Sequence, residues 1–180
     1  MPFQPTPIPG LLLFEPNVWN DARGYFFEAF NARTFAEGGI KAPFVQDNQA
    51  RSTRGVLRGL HYQVGEAAQA KLVRVFEGEV LDVAVDLREG SPTYGEHFSV
   101  VLSAANKRQL YVPRGFAHGY AVLSETAEFF YKCDNFYDKA SEGGIRFDDP
   151  GLGIDWQLPA EEVVVSDKDA DLPRFGRHRR

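Results

Sequence analysis

The sequence contains a single cysteine, Cys133, among its 180 residues. One thiol can form no disulfide within the chain and cannot build a zinc site of four cysteines. The sequence also lacks any run of the roughly 18 apolar residues that a membrane helix needs, and its first residues show no basic region followed by an apolar stretch. These absences predict a cytoplasmic protein that is neither exported nor inserted into a membrane.

The sequence also has no excess of basic over acidic residues. The 20 Lys and Arg are outnumbered by 25 Asp and Glu, which gives a formal net charge of −5 at pH 7. Because nucleic acids are bound through basic surfaces that neutralise phosphates, this balance argues against nucleic acid as the main partner. The arginines are therefore expected to act locally, within a binding site.

Aromatic and turn-forming residues are abundant, with 15 Phe, 7 Tyr and 17 Gly. About ten short β-prone segments alternate with Gly and Pro turns, which favours an all-β sandwich or jelly roll with one or a few short helices. Segments 71–76 and 80–87 flank Glu77-Gly78-Glu79 and predict a hairpin-like pair of strands. Asn31 predicts the cap of one short helix that ends at Gly38-Gly39.

A chain of this length is sufficient for one domain with a full hydrophobic core. We expect that single domain to cover residues 1–175. Residues 176–180 are rich in arginine, and we expect them to form a disordered basic tail.

The stretch from Gln46 to Gln63 is too polar for a core strand. Its amides, carboxylate, guanidinium groups and imidazole come from Gln46, Asp47, Asn48, Arg51, Arg54, Arg58 and His61. An imidazole beside guanidinium groups suits proton transfer on an anionic substrate. In a regular strand Arg58 and His61 would point to opposite faces, so both can reach one pocket only if Gly59 carries a bulge or bend.

Two spacings resemble the paired motifs of the cupin superfamily, in which three histidines and a glutamate hold a metal in a jelly roll. His61 and the P-x-G-x-x-H motif that ends at His118 match the pattern, but Gln63 replaces the second histidine and Lys71 replaces the glutamate. A protonated lysine has no lone pair and repels a divalent cation. We therefore expect that this chain lacks the metal site of the cupin superfamily.

Three residues in this pattern match the needs of an epimerase. Lys71 can stabilise the oxygen of an enolate, His61 can accept a proton near neutral pH, and Tyr131 can return a proton as a neutral donor. Each residue alone is more often structural than catalytic. Their convergence on one cupin pocket favours catalysis.

Nearly the whole chain, from roughly Gly10 to Pro173, carries a series of longer motifs: DARGYFFEAF, QDN, GVLRGLHYQ, AKLVRVFEGEVLDVAVDLR, SPTYG, NKRQLYVPRGFAHGY, EFFYKCDNFY, EGGIRFDDP and SDKDA. These motifs resemble the dTDP-4-dehydrorhamnose 3,5-epimerase family of the cupin superfamily. The resemblance implies a cupin-type jelly roll that needs no cofactor and no metal. It also implies inversion of C3 and C5 of dTDP-4-keto-6-deoxy-D-glucose through an enolate, which gives dTDP-4-keto-L-rhamnose.

The resemblance also implies roles for individual residues of this chain. His61 would be the base, Tyr131 the acid, Lys71 the cation that stabilises the enolate, and Asp169 the carboxylate that pairs with His61. The implied substrate-binding residues are Arg23, Phe26, Glu28, Gln46, Asp47, Asn48, Arg58, Lys71, His118, Tyr137, Glu142 and Lys168.

Some of these residues suit particular parts of a dTDP-sugar. Arg23 and Arg58 match the diphosphate, whose oxygens fit a guanidinium fork. Phe26 or Tyr137 would stack on the thymine. The resemblance further implies a homodimer whose amino-terminal strands cross between subunits, which allows Arg23 and Glu28 to serve the partner's pocket. Taken alone, the stretch around Glu28 predicts only an edge strand with this carboxylate in water.

Several alternatives stay open at this point. Similar enzymes invert only C3 or only C5, in rhamnose or in secondary-metabolite pathways, and a ketoisomerase would use the same enolate. A metal-dependent cupin oxygenase would bind its metal through His61 and His118. A noncatalytic sugar-nucleotide binding protein would bind dTDP without exchange of ring protons.

Overall fold

The computed structural model describes residues 2–41 and 43–179. Within these residues the chain forms short strands and two short helices. The strands are β1 (Phe3–Pro5), β2 (Leu12–Phe14), β3 (Trp19–Asp21), β4 (Gly24–Phe26), β5 (Gln46–Thr53), β6 (Leu57–Gln63), β7 (Lys71–Glu77), β8 (Glu79–Asp86), β9 (His97–Ser103), β10 (Gln109–Val112), β11 (Phe116–Val122), β12 (Thr126–Cys133) and β13 (Glu142–Gly144). The helices are α1 (Ala32–Glu37) and α2 (Asp167–Ala170).

Two antiparallel sheets share the main hydrophobic core. One contains six strands in the order β1-β2-β10-β7-β12-β5, and the other contains five in the order β13-β6-β11-β8-β9. Side chains alternate along each strand, so Val73 and Phe129 of the first sheet pack with Ala84 and Val122 of the second. The predicted all-β, cupin-type jelly roll is confirmed.

The five-stranded sheet is buried on both faces. Leu81, Val83 and Val85 of β8 lie in a second cluster with Ile145 and Trp156 from the carboxyl-terminal third of the chain. The side chains that alternate with these apolar residues, Asp82, Ala84 and Asp86, are buried too. A strand that is covered on both faces therefore carries any polar side chain it contains into the interior.

The expected hairpin of β7 and β8 is wrong. Strand β7 pairs with β10 and β12, whereas β8 pairs with β9 and β11 in the other sheet. Gly78 turns the chain from one sheet to the other at φ 75°, and a Cβ there would lie 2.0 Å from the carbonyl oxygen of Thr126. A tight turn signal specifies the reversal of the chain, but it does not specify the strand with which each arm pairs.

Helix α1 forms where its capping residue predicted it. The Asn31 Oδ1 accepts a hydrogen bond from the backbone N–H of Arg33 at 3.0 Å, and Gly38 and Gly39 follow the last turn. Phe35 fills the core beneath the helix. Neither helix in the described residues has the length or the apolar character of a membrane span.

The expectation of a disordered tail is wrong for the described residues of that segment. His178 is buried, and its ring lies 6.2 Å from the ring of Tyr62 and 5.3 Å from that of Phe175, measured between centroids. Tyr62 Oη donates a hydrogen bond to the carbonyl of Arg179 at 2.7 Å. Arg180 lies outside the described residues. The prediction relied on the basic side chains of the segment, whereas a histidine ring and a backbone carbonyl make these contacts.

Candidate active site

A cavity of about 310 Å³ has walls from both sheets and from α2. Strands β5, β7 and β12 contribute from the six-stranded sheet, and β6 and β11 contribute from the five-stranded sheet. The lining residues are Ala50, Arg58, His61, Lys71, His118, Gly119, Tyr120, Phe129, Tyr131, Ser166, Lys168 and Asp169. Most of the polar side chains in this set are those that the sequence singled out.

A second cavity, of about 280 Å³, shares His61, Lys71 and Tyr131 with the first. Its further lining residues are Gln46, Asn48, Tyr62, Gln63, Gln69, Tyr137 and Glu142. The candidate base, cation and acid therefore lie where two polar cavities meet.

His61 is paired with Asp169, as the sequence resemblance implied. Nε2 of the imidazole lies 2.7 Å from Asp169 Oδ1, and the other carboxylate oxygen accepts the backbone N–H of Gly59 at 3.2 Å. Burial acts to raise the pKa of Asp169, but the hydrogen bonds from His61 and Gly59 and the charge of His61 outweigh it and lower the pKa. An ionised Asp169 therefore orients the ring.

Helix α2 brings this carboxylate to the site. Ser166 caps the helix, and its Oγ accepts the backbone N–H of Asp169 at 3.1 Å. In the sequence the segment is only a polar cluster, because four residues are too short to give a helical hydrophobic pattern.

The bend predicted at Gly59 is present. The pairing of β6 with β11 shifts register between His118 and Tyr120, and Gly59 has φ 138°. A Cβ at Gly59 would lie 2.6 Å from Gly119 Cα, so glycine alone fits here. The irregularity lets Arg58 and His61 line the same cavity despite the alternation of a regular strand.

Lys71 and Tyr131 come from neighbouring strands of the other sheet. Lys71 Nζ lies 5.7 Å from the centroid of the Tyr131 ring. Burial raises the pKa of Tyr131 to about 12, so the phenol is a protonated donor at neutral pH. Burial lowers the pKa of Lys71, and Cys133, Asp82 and Glu142 act against that shift. The carboxylates of Asp82 and Glu142 therefore offset only part of the cost of burying this ammonium group.

His118 lies directly across from His61 in the β6–β11 ladder. Its Nε2 is 3.0 Å from both carboxylate oxygens of Asp82, which is fully buried in β8. Sequence reasoning missed Asp82 as a site residue. The signal was a carboxylate in the middle of a strand that alternates Leu and Val, since buried carboxylates are rare without a partner.

Three further predicted residues meet at the entrance of the second cavity. Lys168 Nζ donates to Glu142 Oε1 at 2.5 Å, and Tyr137 Oη donates to Glu142 Oε2 at 3.2 Å. Burial acts to raise the pKa of Glu142, but the ammonium of Lys168 holds it below its usual range. Gln46 accepts the backbone N–H of Tyr137 and donates to Asn48 Oδ1, each at 3.2 Å. The entrance is thus a connected polar network.

Asp47 does not reach either cavity, because it faces the other side of β5 from Gln46 and Asn48. Its carboxylate pairs with Lys132 Nζ at 2.9 Å, and half of its side chain is exposed. The prediction that Asp47 binds substrate does not agree with this position.

The amino-terminal candidates also lie apart from the two cavities. Arg23 and Phe26 belong to the β3–β4 hairpin and line a separate hollow with Trp19 and Tyr25. Glu28 Oε2 accepts a hydrogen bond from Asn31 Nδ2 at 3.1 Å. The structure of one chain therefore does not bring Arg23, Phe26 and Glu28 to its own site.

Among the described residues, no group of three or more His, Cys, Asp and Glu side chains is placed to hold a metal ion. His61 and His118 each face their own carboxylate. The arrangement offers two histidine–aspartate pairs, an ammonium group and a phenol.

Comparison with known proteins agrees with this geometry. The family model described as dTDP-4-dehydrorhamnose 3,5-epimerase matches residues 5–177. The dTDP-4-dehydrorhamnose 3,5-epimerase of Pseudomonas aeruginosa is 56% identical over 169 residues, which cover 93% of this chain and 92% of that protein.

Solved structures are equally similar. The crystal structure of dTDP-4-dehydrorhamnose 3,5-epimerase from Elizabethkingia anophelis has a TM-score of 0.94 at 54% identity and covers 97% of this chain and 96% of its own. The structure of dTDP-6-deoxy-D-glucose-3,5-epimerase from Legionella pneumophila in complex with dTDP-4-keto-L-rhamnose has a TM-score of 0.93 at 50% identity, with 97% and 93% covered. The predicted resemblance is confirmed, and this chain belongs to the dTDP-4-dehydrorhamnose 3,5-epimerase family.

Proposed function

We propose that this chain is an isomerase that inverts C3 and C5 of dTDP-4-keto-6-deoxy-D-glucose and forms dTDP-4-keto-L-rhamnose. The observation that carries the proposal is the meeting of the His61–Asp169 pair, Lys71 and Tyr131 around one cavity. Family membership and the names of the relatives support the same reaction.

The first step is removal of a proton from a carbon next to the C4 ketone. Asp169 holds the proton on Nε2 of His61, which leaves the lone pair of Nδ1 to accept the substrate proton. As the C–H bond breaks, its electron pair forms the C=C bond of an enolate, and negative charge develops on the C4 oxygen. The Lys71 ammonium stabilises that charge.

The second step is proton return to the same carbon from its other face. His61 and Tyr131 stand on different sheets, so they approach the sugar from different walls of the cavity. With its pKa raised to about 12, Tyr131 holds its proton until the enolate carbon takes it. Because C3 and C5 both flank the ketone, the same three groups serve both carbons in turn.

The nucleotide part of the substrate binds at the entrance. Arg58 suits the diphosphate, and Gln46, Asn48 and Glu142 offer hydrogen bonds to sugar or base. Tyr137, whose ring is half exposed, is positioned to stack on the thymine. His118 and Lys168 complete the polar walls.

The amino-terminal hairpin acts across a homodimer in this proposal. Arg23 and Phe26 are strongly exposed and lie away from the cavities of their own chain. Strands that cross between subunits would carry them, with Glu28, to the partner's pocket. The cytoplasmic location stays a prediction from the sequence, and so does independence from cofactors.

Proton NMR of dTDP-4-keto-6-deoxy-D-glucose in deuterium oxide tests the reaction. We expect loss of the signals at C3 and C5, and formation of the rhamno product when a reductase traps it. Loss of one signal would indicate a single-site epimerase, and loss of neither would contradict the proposal. Unchanged rates in the presence of a chelator would separate the reaction from that of a metal-dependent oxygenase.

Variants of the acid and base test their separate roles. In Tyr131→Phe, His61 still removes the proton, so we expect deuterium exchange to continue while inversion falls by about a hundredfold or more. In His61→Asn, exchange and inversion should fall together. Equal loss of exchange and inversion in Tyr131→Phe would overturn the assignment of Tyr131 as the acid.

A further inference from the structure

Residues 175–179, which we call the strap, pack against strand β6 and the start of β13. Within the strap the backbone N–H of Gly176 donates to Nδ1 of His178 at 3.1 Å. The buried ring of His178 is enclosed by Tyr62 and Phe175. The family match ends at residue 177, so the last contacts of the strap lie beyond it.

Arg179 ties two parts of the site wall together. Its guanidinium Nη1 donates to the carbonyl of Ala140 and, at 3.4 Å, to that of Glu142. Its own carbonyl accepts the phenol of Tyr62, which directly follows His61 in β6. Burial raises the pKa of Tyr62 to about 12, so this phenol remains a donor. One arginine thus links strand β6 to segment 140–142.

Segment 140–142 contains Glu142, which is the centre of the polar network at the entrance of the second cavity. Glu142 receives hydrogen bonds from Lys168 and Tyr137, and the pairing of β13 with β6 places Gly144 beside His61. A small cavity of about 240 Å³ is lined by His61, Glu142, Lys168 and Arg179 among others. A shift of the Glu142 backbone would therefore move the groups that meet the nucleotide sugar.

We propose that Arg179 helps to position the substrate without contacting it. Arg179 holds the backbone of residues 140–142, and this backbone in turn fixes Glu142 and its partner Tyr137. Charge-assisted hydrogen bonds from a guanidinium to carbonyls are stronger than neutral ones, and two of them hold a segment more firmly than one. The strap is thus part of the binding site although it touches neither the base nor the acid. This inference rests on the proposed function, in which Glu142 and Tyr137 bind the nucleotide sugar.

The test replaces Arg179 by methionine, which keeps the stem and removes every donor. Arg177→Met is the matched control, since Arg177 is an exposed arginine of the same segment. We expect Arg179→Met to raise the KM for the substrate and the Kd for dTDP by about fivefold, with kcat within about twofold. Arg179→Lys, which keeps one charged donor, should recover most of the loss.

Two readouts separate this role from general stability. Hydrogen exchange of the amides of residues 140–142 should increase in Arg179→Met, while the Tm stays close to that of Arg177→Met. A Kd and KM equal to those of the control would overturn the proposal, as would a loss of kcat alone. Binding of dTDP is measured independently of turnover, so a wild-type protein without epimerase activity would contradict the proposed function and still leave the strap testable.

Discussion

The Asp169 carboxylate accepts hydrogen bonds from two donors at once and contacts no atom that reacts. It holds His61 Nε2 at 2.7 Å and the backbone N–H of Gly59 at 3.2 Å, so it fixes both the base and the bend that aims the base. A single buried residue therefore controls the ring orientation and the backbone of β6. The groups that it binds lower its pKa and keep the carboxylate ionised.

Asp169→Asn should lower kcat by about a hundredfold or more, because an amide can neither fix the tautomer of His61 nor offset the positive charge that the ring gains when it takes the substrate proton. Asp167→Asn, at an exposed position of the same helix, is the matched control. Steady-state kinetics of the two variants checks this, and equal activity would contradict the role of the pair.

The same substitution has a pH-dependent effect on stability. The pKa of Asp169 is lower in the folded protein than its ordinary value of 3.8, so its charge stabilises the fold above that value. This contribution is lost as the pH falls through the folded-state pKa. The difference in Tm between wild type and Asp169→Asn should therefore be largest near neutral pH and shrink below pH 3.8.

At the scale of elements, the bend in β6 brings Arg58, a candidate for substrate binding, and His61, the candidate base, to the same cavity. Gly59 has a positive φ and its Cα lies so close to Gly119 that no side chain fits. Strand β6 can thus present Arg58 and His61 to one cavity while it remains paired with β11.

Gly59→Ala should destabilise the fold by about 3 kcal/mol or more, since it adds a steric clash to an unfavourable φ. Gly24→Ala is a matched control, because Gly24 has φ 123° but nothing within 4 Å of the position of a Cβ. The control should lose about 1 kcal/mol from strain alone. Urea unfolding of both variants gives the comparison, and equal losses would mean that the contact with Gly119 is unimportant.

Local signals in the sequence predicted some elements and not others. Asn31 and Gly38-Gly39 predicted α1 because a helix cap is a local hydrogen-bond pattern. The turn at Gly78 was equally local, but the choice of sheet for β7 and β8 depends on strands far along the chain. The role of Asp82 was missed for the same reason, since only the packing of β8 between two layers shows that it faces His118.

At the scale of the whole molecule, the cavities of a single chain contain the candidate base, acid and cation but not every predicted substrate-binding residue. Motifs spread over nearly the whole chain identified the family, and the resemblance pointed to His61, Tyr131 and Lys71 as the candidate base, acid and cation. Sequence could not place Arg23, Phe26 and Glu28, which lie outside the cavities of their own chain. Asp47 also lies outside them, for a reason as simple as strand alternation.

Subunit complementation tests the crossed homodimer. Arg23→Ala and His61→Asn chains should each be nearly inactive alone. When the two are unfolded and refolded together, half of the dimers are mixed, and one site in each combines an intact pocket with an intact arm. Activity should then return to about a quarter of the wild-type value. No recovery on mixing would contradict arms that serve the partner's pocket.

The turn at Gly78 also bears on how the molecule reaches its active state. Because β7 and β8 join different sheets, neither can be completed by zipping a local hairpin. Lys71 and Tyr131 become neighbours only when β7 pairs with β12, from about sixty residues further along the chain, and such distant pairings form slowly. We therefore expect activity to appear only after this pairing has formed, because a chain without it cannot bring Lys71 and Tyr131 together.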